Sequence, residues 1–319
     1  FGDNVSFFSE VEFEGGETEI AGTLGFQDLF GVENTFNVKV GNIMQGMWGG
    51  LFTAADSYRF TRNNYLYADW RLPYPTAFRS SSTKNTYRVR SGGPGVELNG
   101  FNRSWYYAVG ILNGDSNISD KDFYGQIAYK IGGIGFDGSG EDLGEEDLTV
   151  STESWRDDSL TLSGWFHSGK RRVDSDTGDA TPAQTDDFWR AAGGLLWRTG
   201  DLQLGGGYFI GENDNPYGDL STKSVDSDGW FVEASYFYKP WLVPTLRYEI
   251  RDLDMPSGGV GSLGADQEQG RVIASVKMLL RANVSLILEQ RIMTTDEGRG
   301  AGAGLDDGNM FWARLDFAF

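Results

Sequence analysis

Two groups of residues in this chain have types and spacing that could do chemistry. The first is basic. From Asp56 to Arg90 the chain carries Arg59, Arg62, Arg71, Arg79, Lys84, Arg88 and Arg90 against only Asp56 and Asp69, a net of +5 within a protein of net charge -19. Cations concentrated in this way set a local positive field whose sign opposes that of the whole molecule. The second group surrounds the sole histidine, His167, with Trp165 and Ser163 two and four residues before it. Serine, histidine and a carboxylate could form a hydrolytic set, but nothing in the local sequence marks a nucleophile, and no enzyme activity is expected. The absence of cysteine removes thiol nucleophiles and Cys-ligated zinc or iron–sulfur sites, and a single histidine makes a His-rich metal centre untenable. No cofactor is expected.

The 319 residues include 46 Asp and Glu against 27 Lys and Arg, which argues against a nucleic-acid partner. The chain is 14% aromatic, unlike a disordered acidic chain. No run of about 18 apolar residues offers a transmembrane helix. There is no basic-then-apolar leader, so Phe1 reads as the start of a processed or trimmed chain.

What positions these residues is a repeated alternation. Leu242, Pro244, Leu246, Tyr248 and Ile250 interleave with Val243, Thr245, Arg247, Glu249 and Arg251, giving one greasy face and one mostly charged face at the period of a strand. The pattern returns at Val284, Leu286, Leu288 and at Phe311, Ala313, Leu315, Phe317. Trp189 and Trp197 bracket one strand eight residues apart on one face, as do Trp230 and Tyr238. Eight tilted residues at ~3.3 Å each cover roughly 20 Å, close to the apolar band between the aromatic girdles of an outer-membrane barrel. Soluble sandwiches also alternate, but they do not hold aromatics at fixed heights.

Connection lengths alternate as well. Short turns near Leu280 to Asn283, Tyr238 to Trp241 and Thr199 to Asp201 separate long polar loops near Thr294 to Asn309, Asp252 to Gln269, Asn213 to Ser227 and Arg171 to Asp187. The expected fold is therefore all-β: one domain over residues 1–319, a transmembrane antiparallel β-barrel of about sixteen strands. They lie near 4–13, 17–26, 35–43, 86–99, 105–113, 123–131, 134–139, 148–155, 159–170, 187–198, 202–212, 228–238, 241–251, 270–280, 283–293 and 309–319, with both ends periplasmic. The stretches 134–139 and 148–155 carry the weakest signal, and without them fourteen strands remain. The tight Glu14-Gly15-Gly16-Glu17 connection breaks the rule that outer loops are long.

The terminal Ala313-Arg314-Leu315-Asp316-Phe317-Ala318-Phe319 resembles the closing strand of bacterial outer-membrane porins. Phe36-Asn37-Val38-Lys39-Val40-Gly41-Asn42 and Tyr106-Tyr107-Ala108-Val109-Gly110-Ile111-Leu112-Asn113-Gly114-Asp115 look like the two best-marked strands of the phosphate-selective porin family. The resemblance covers about a third of the chain. It implies a homotrimeric sixteen-stranded channel in the outer membrane of a Gram-negative bacterium, with an inward-folded loop and an arginine-lined lumen that prefers anions.

Between strands 35–43 and 86–99 lies a connection too long to be structureless. Residues 44–85 are expected to fold inward as a constriction loop, with Arg59, Arg62, Arg71 and Arg79, and Arg88 and Arg90 just beyond, setting the field at the narrowest point. The bland alternative is an outer loop that happens to be basic. The alternation assigns Lys39, Arg88, Arg90, Lys130, Arg190, Arg198, Arg247, Arg251, Arg271, Lys277, Arg291 and Arg314 to the lumen, with Glu10, Glu12, Glu19, Glu97, Glu233, Glu249, Glu289 and Asp316. These could equally pair across strands as structure. Acidic clusters at Asp137 to Asp147 and Asp174 to Asp187 are expected at the outer rim, where clustered oxygens suit divalent cations bridging to lipopolysaccharide; no metal ligand can be assigned. The expected partners are outer-membrane lipid, small ions and hydrophilic solutes. A different class of function is a barrel sheath around a partner such as an electron-transfer cytochrome.

Overall fold

The computed structural model describes residues 4–14, 17–44, 71–73, 86–88, 92–113, 120–139, 158–173, 184–214, 224–239, 241–254, 267–281, 284–297 and 309–317. They are almost entirely strand: β1 (Val5–Glu14), β2 (Glu17–Phe26), β3 (Asn37–Met44), β4 (Arg71–Pro73), β5 (Thr86–Arg88), β6 (Gly92–Phe101), β7 (Trp105–Leu112) and β8 (Asp122–Ile131). There follow β9 (Ser159–Val173), β10 (Gln184–Thr199), β11 (Leu202–Asn213), β12 (Val225–Tyr236), β13 (Leu242–Asp254), β14 (Gln267–Arg281), β15 (Val284–Glu297) and β16 (Met310–Phe317). Fourteen of them form one antiparallel sheet in chain order, with β3 joined directly to β6, while β4 and β5 pair apart as a two-stranded sheet. Among the described residues no helix is long and apolar enough to cross a membrane; the sheet is that of a transmembrane barrel, whose backbone groups bond between strands.

The alternation read in the sequence becomes two faces of opposite character. In β12, Val225, Ser227, Phe231, Glu233 and Ser235 are buried while Asp226, Trp230, Val232 and Tyr236 are exposed. In β13, Leu246 is 56% exposed and its neighbour Arg247 0%. A one-layer sheet has nothing outside to cover it, so the shielded face is the barrel interior. The inside holds the buried charged and polar side chains among apolar ones such as Phe209, Phe231 and Ile273, while the outside is largely apolar, as a bilayer demands. On the outer face the Trp189 indole donates to Glu212 at 3.2 Å and Trp230 stands edge-on to Tyr248 with ring centroids 5.5 Å apart. Leu162, Phe166, Leu195 and Val232 are exposed on the same face.

The two-residue turn at 200–201 uses Gly200 at φ 53, a left-handed conformation that glycine adopts without steric cost. Glu14 pairs with Glu17, so the early hairpin is as tight as its sequence indicates.

Three expectations need correction. Residues 134–139 are not a strand: Gly132, Gly133 and Gly138 have positive φ and turn the chain back, and Phe136 N donates to Arg103 O at 3.0 Å. Residues 148–155 lie outside the described set, but β8 pairs directly with β9, so no strand stands between those two. The main sheet therefore has fourteen strands. It follows that the connection carrying Asp137 to Asp147 leaves and rejoins the sheet at the short-turn rim, where Gly200 N donates to Asp158 Oδ1 at 2.9 Å, and not at the long-loop rim. Finally, 86–99 is two elements: β5 pairs with β4 and only β6 belongs to the main sheet, so Arg88 is not a residue of the main wall.

Candidate functional site: the charged interior

Registers place the interior side chains in rows that cross the strands. One row runs Glu233, Arg247, Ile273, Arg291 across β12 to β15; the next runs Phe231, Glu249, Arg271. Arg247 reaches Glu233 at 3.1 Å and Glu249 at 2.7 Å, Arg271 donates to the other oxygen of Glu249, and Arg251 lies 3.9 Å from that same oxygen. Arg247 also stacks its guanidinium 3.7 Å above the Phe231 ring. Glu249 is thus the hub of three arginines, all buried. Charges shielded from water persist only when paired in this way.

A second constellation lies on β3 to β10. Lys39 pairs with Glu97 at 2.9 Å, and Asn99 Nδ2 donates to the same oxygen at 2.9 Å. The other Glu97 oxygen accepts from the Tyr124 hydroxyl, which arrives from β8 over the intervening β7. Gly110 allows this, because a Cβ there would collide with the Tyr124 ring. The row continues through His167 to Arg190. His167 Nε2 sits 3.3 Å from Asp122 Oδ2, with the Trp165 and Phe188 rings beside it, and Arg190 stacks 4.5 Å over Phe188. Ser163 Oγ instead donates to Gly194 O at 3.3 Å. The serine is therefore engaged with backbone and the histidine with Asp122.

Of the residues assigned to the lumen by alternation, Arg190, Arg247, Arg251, Arg271, Lys277 and Arg291 are buried on the interior face, together with Glu97, Glu233, Glu249 and Glu289. Arg198 and Lys130 are half-buried, Arg198 donating to Gln203 at 3.0 Å, while Arg314 is exposed. Lys39 keeps its side chain 46% exposed. The backbones of Glu10 and Glu12 lie in β1, Glu12 opposite Glu19; their side chains, like those of Glu19 and Asp316, lie outside the described set. In the basic segment Arg59, Arg62, Arg79 and Arg90 lie outside the described residues. Arg71 and Arg88, seventeen positions apart, are directly opposite each other across β4 and β5. Asp122, Tyr124 and Asn99 carry no motif of their own in the sequence, although the parity that assigns Lys130 and Glu97 assigns them to the same face.

At the rims, two carboxyls differ from the ordinary range. The Ser139 hydroxyl, foremost, with backbone donors and the charge of Arg103, holds Asp137 low. Burial, then Glu212 and Asp187, pushes Asp214 up. No group of three or more potential metal-ligating side chains occurs among the described residues.

No family model matches the chain, and no curated protein matches it. Solved structures do. OmpT, an outer membrane protein of Vibrio cholerae folded in vitro, superposes with a TM-score of 0.58 at 13% identity, over 99% of this chain and 85% of that one. OmpF of Salmonella typhi in complex with daunomycin gives 0.54 at 12%, over 99% and 85%. A porin refined at 1.8 Å gives 0.53 at 11%, over 99% and 92%. At such identities the likeness is one of fold: the chain has the porin-like β-barrel fold.

Proposed function

We propose that this protein is an outer-membrane porin, a passive channel for small hydrophilic solutes that prefers anions. The observation that carries the reading is the pairing of Arg71 with Arg88, which joins two cations of the basic segment across one small sheet inside the β3 to β6 connection. Two like charges directly opposite destabilise a sheet by themselves, and an anion nearby would offset that cost. Supporting it are an interior that is charged and polar while the exterior is apolar, and a fold shared with porins.

The wall divides into two parts. On β12 to β14 Glu233, Arg247, Glu249, Arg251 and Arg271 are buried and paired among themselves, so they brace the barrel and do not face permeating ions. On β3 and β16 the cations Lys39 and Arg314 are exposed to water. Ions pass beside these two residues. Catalysis has no support in the geometry, since Ser163 and His167 have separate partners. A sheath around a cytochrome fits less well, because β9 to β15 are already shielded from within by this one chain. The resemblance to phosphate-selective porins makes a homotrimer and a phosphate preference the finer form of the proposal.

Conductance across planar bilayers tests it. The purified protein gives discrete ohmic steps; a protein that inserts without conducting overturns the channel reading.

A further inference from the structure

The connection between β2 and β3 presents an apolar tip in an unusual backbone. Leu29–Gly31 is a single 3₁₀ turn in which Phe30 has φ 65 and ψ 13, and the Phe30 side chain is 89% exposed. A bulky L-residue seldom adopts the left-handed region, because its Cβ crowds the following carbonyl. Asp28 and Asn34 on either side are left-handed too, at φ 54 and 55, but those residue types tolerate it. Position 30 is therefore doubly unfavourable in isolation, strained in its backbone and greasy in its exposure.

The strain is held in place by a dense set of bonds. Leu29 N donates to Phe36 O at 2.9 Å, and Asn34 N to Asp28 Oδ1 at 2.5 Å. The buried Asn37 accepts from Asp28 N at 3.0 Å and donates to Asn34 O at 3.2 Å. Neighbouring strands lock the far side, with Phe101 N bonding Asn34 O at 2.8 Å and the Tyr107 hydroxyl bonding Thr35 O at 2.7 Å. A loop over-determined in this way holds its tip in one place, and strain that is maintained like this marks a use for the tip.

The surroundings of the ring say what it meets. Phe30 packs edge-on against Phe36 with centroids 6.1 Å apart. Phe36 shares the outward parity of Val38 and Val40, so the ring continues the apolar band of the outer face past the end of β3. Trp105, 47% exposed and also outward, stands on the same rim. What covers the apolar band is lipid, and what covers its continuation is the boundary between acyl chains and headgroups, where aromatic side chains reside.

We infer that the 27–36 connection is a rigid anchor whose Phe30 inserts into the lipid interface on the short-turn side of the membrane. The inference rests on the membrane reading of the barrel but not on conduction. It fixes the depth at which the barrel sits, and the charged Glu33, exposed three residues later, stays in water.

The test uses the cysteine-free background. Phe30→Cys, Glu33→Cys and Leu246→Cys are each spin-labelled in the full-length protein in phosphatidylethanolamine and phosphatidylglycerol vesicles, and collision with oxygen is compared with collision with a nickel chelate. The anchor predicts oxygen-dominated collision at positions 30 and 246 and chelate-dominated collision at 33. Chelate-dominated collision at 30 with 246 in lipid overturns the anchor and leaves the barrel standing. Water exposure at 246 overturns the membrane reading itself. Dipolar broadening between labels at position 30 shows a second copy covering the tip, and overturns the lipid assignment.

Discussion

Replacing Glu249 by Ala removes the acceptor shared by Arg247 and Arg271, with Arg251 3.9 Å away. Arg247 keeps Glu233 at 3.1 Å, so most of the damage falls on Arg271, a buried guanidinium that loses its carboxylate. Breaking a buried ion pair from one side costs about 3–5 kcal/mol, because the surviving charge remains desolvated. Glu249→Gln keeps the volume and one acceptor oxygen and should cost less, about 1.5–3 kcal/mol, the range for hydrogen bonds to charged groups. Both are measured as a change in the urea midpoint of the folded barrel at constant slope. The decisive arm is Glu249→Ala combined with Arg271→Met: removing both charges should recover part of the loss, with a coupling of about 2 kcal/mol. If Glu249→Ala costs less than about 0.5 kcal/mol, as at a surface site, the belt is solvated by lumen water and its role as a brace is refuted.

Three further outcomes follow from the same geometry. Gly110→Val should push the Tyr124 ring off its path and destabilise the barrel more than Tyr124→Phe, which loses only the bond to Glu97, about 1.5–3 kcal/mol; equal costs in urea unfolding would show that the ring does not need the glycine. Lys39→Glu should move the reversal potential in a salt gradient toward cations while Arg271→Gln, in protein that still folds, leaves it in place; the opposite ranking would put the ion path along β14. Asp137, whose carboxyl is held low by Ser139, contributes stability present above the ordinary carboxylate pKa near 3.8 and lost as pH falls through its depressed folded value; nuclear magnetic resonance titration should find that Ser139→Ala raises its pKa, and no change would dissociate the shift from that hydroxyl.

The strands were legible wherever one face had to be apolar. At the turn side, alternation runs straight into Gly200 or Lys239, and those boundaries agree to within a few residues. At the loop side it does not. β9 and β10 continue to Val173 and from Gln184, through Lys170 opposite Asp187, because ladder bonds persist above the lipid where nothing compels an apolar side chain. Residues 134–139 mislead for the converse reason: Ile134 and Phe136 mimic alternation, yet the glycines around them satisfy a turn. Arg88 and Glu97 have opposite parity, so one uninterrupted strand over 86–99 could not turn both inward; residues 86–88 pair with β4 instead. The buried belt was legible residue by residue, but its pairing was not. Which carboxylate serves three arginines depends on register, and register is a property of two strands at once. Tyr124 crossing Gly110 is of the same kind, as no single segment contains the contact.

On the proposed function, cations brought together in the β3 to β6 connection make the channel prefer anions in a protein of net charge -19. Two unit charges ~4 Å apart interact by about 4 kcal/mol at an effective dielectric of ~20, against roughly 1 in water. Even ~1.4 kcal/mol surviving screening changes relative occupancy tenfold. The direct measurement is the zero-current potential across a bilayer separating potassium chloride of unequal concentration, for the parent and for Arg71→Glu with Arg88→Glu. The sign should show chloride preference in the parent and a shift toward potassium in the variant. A strongly cation-selective parent, or a variant indistinguishable from it, contradicts an anion preference set by Arg71 and Arg88.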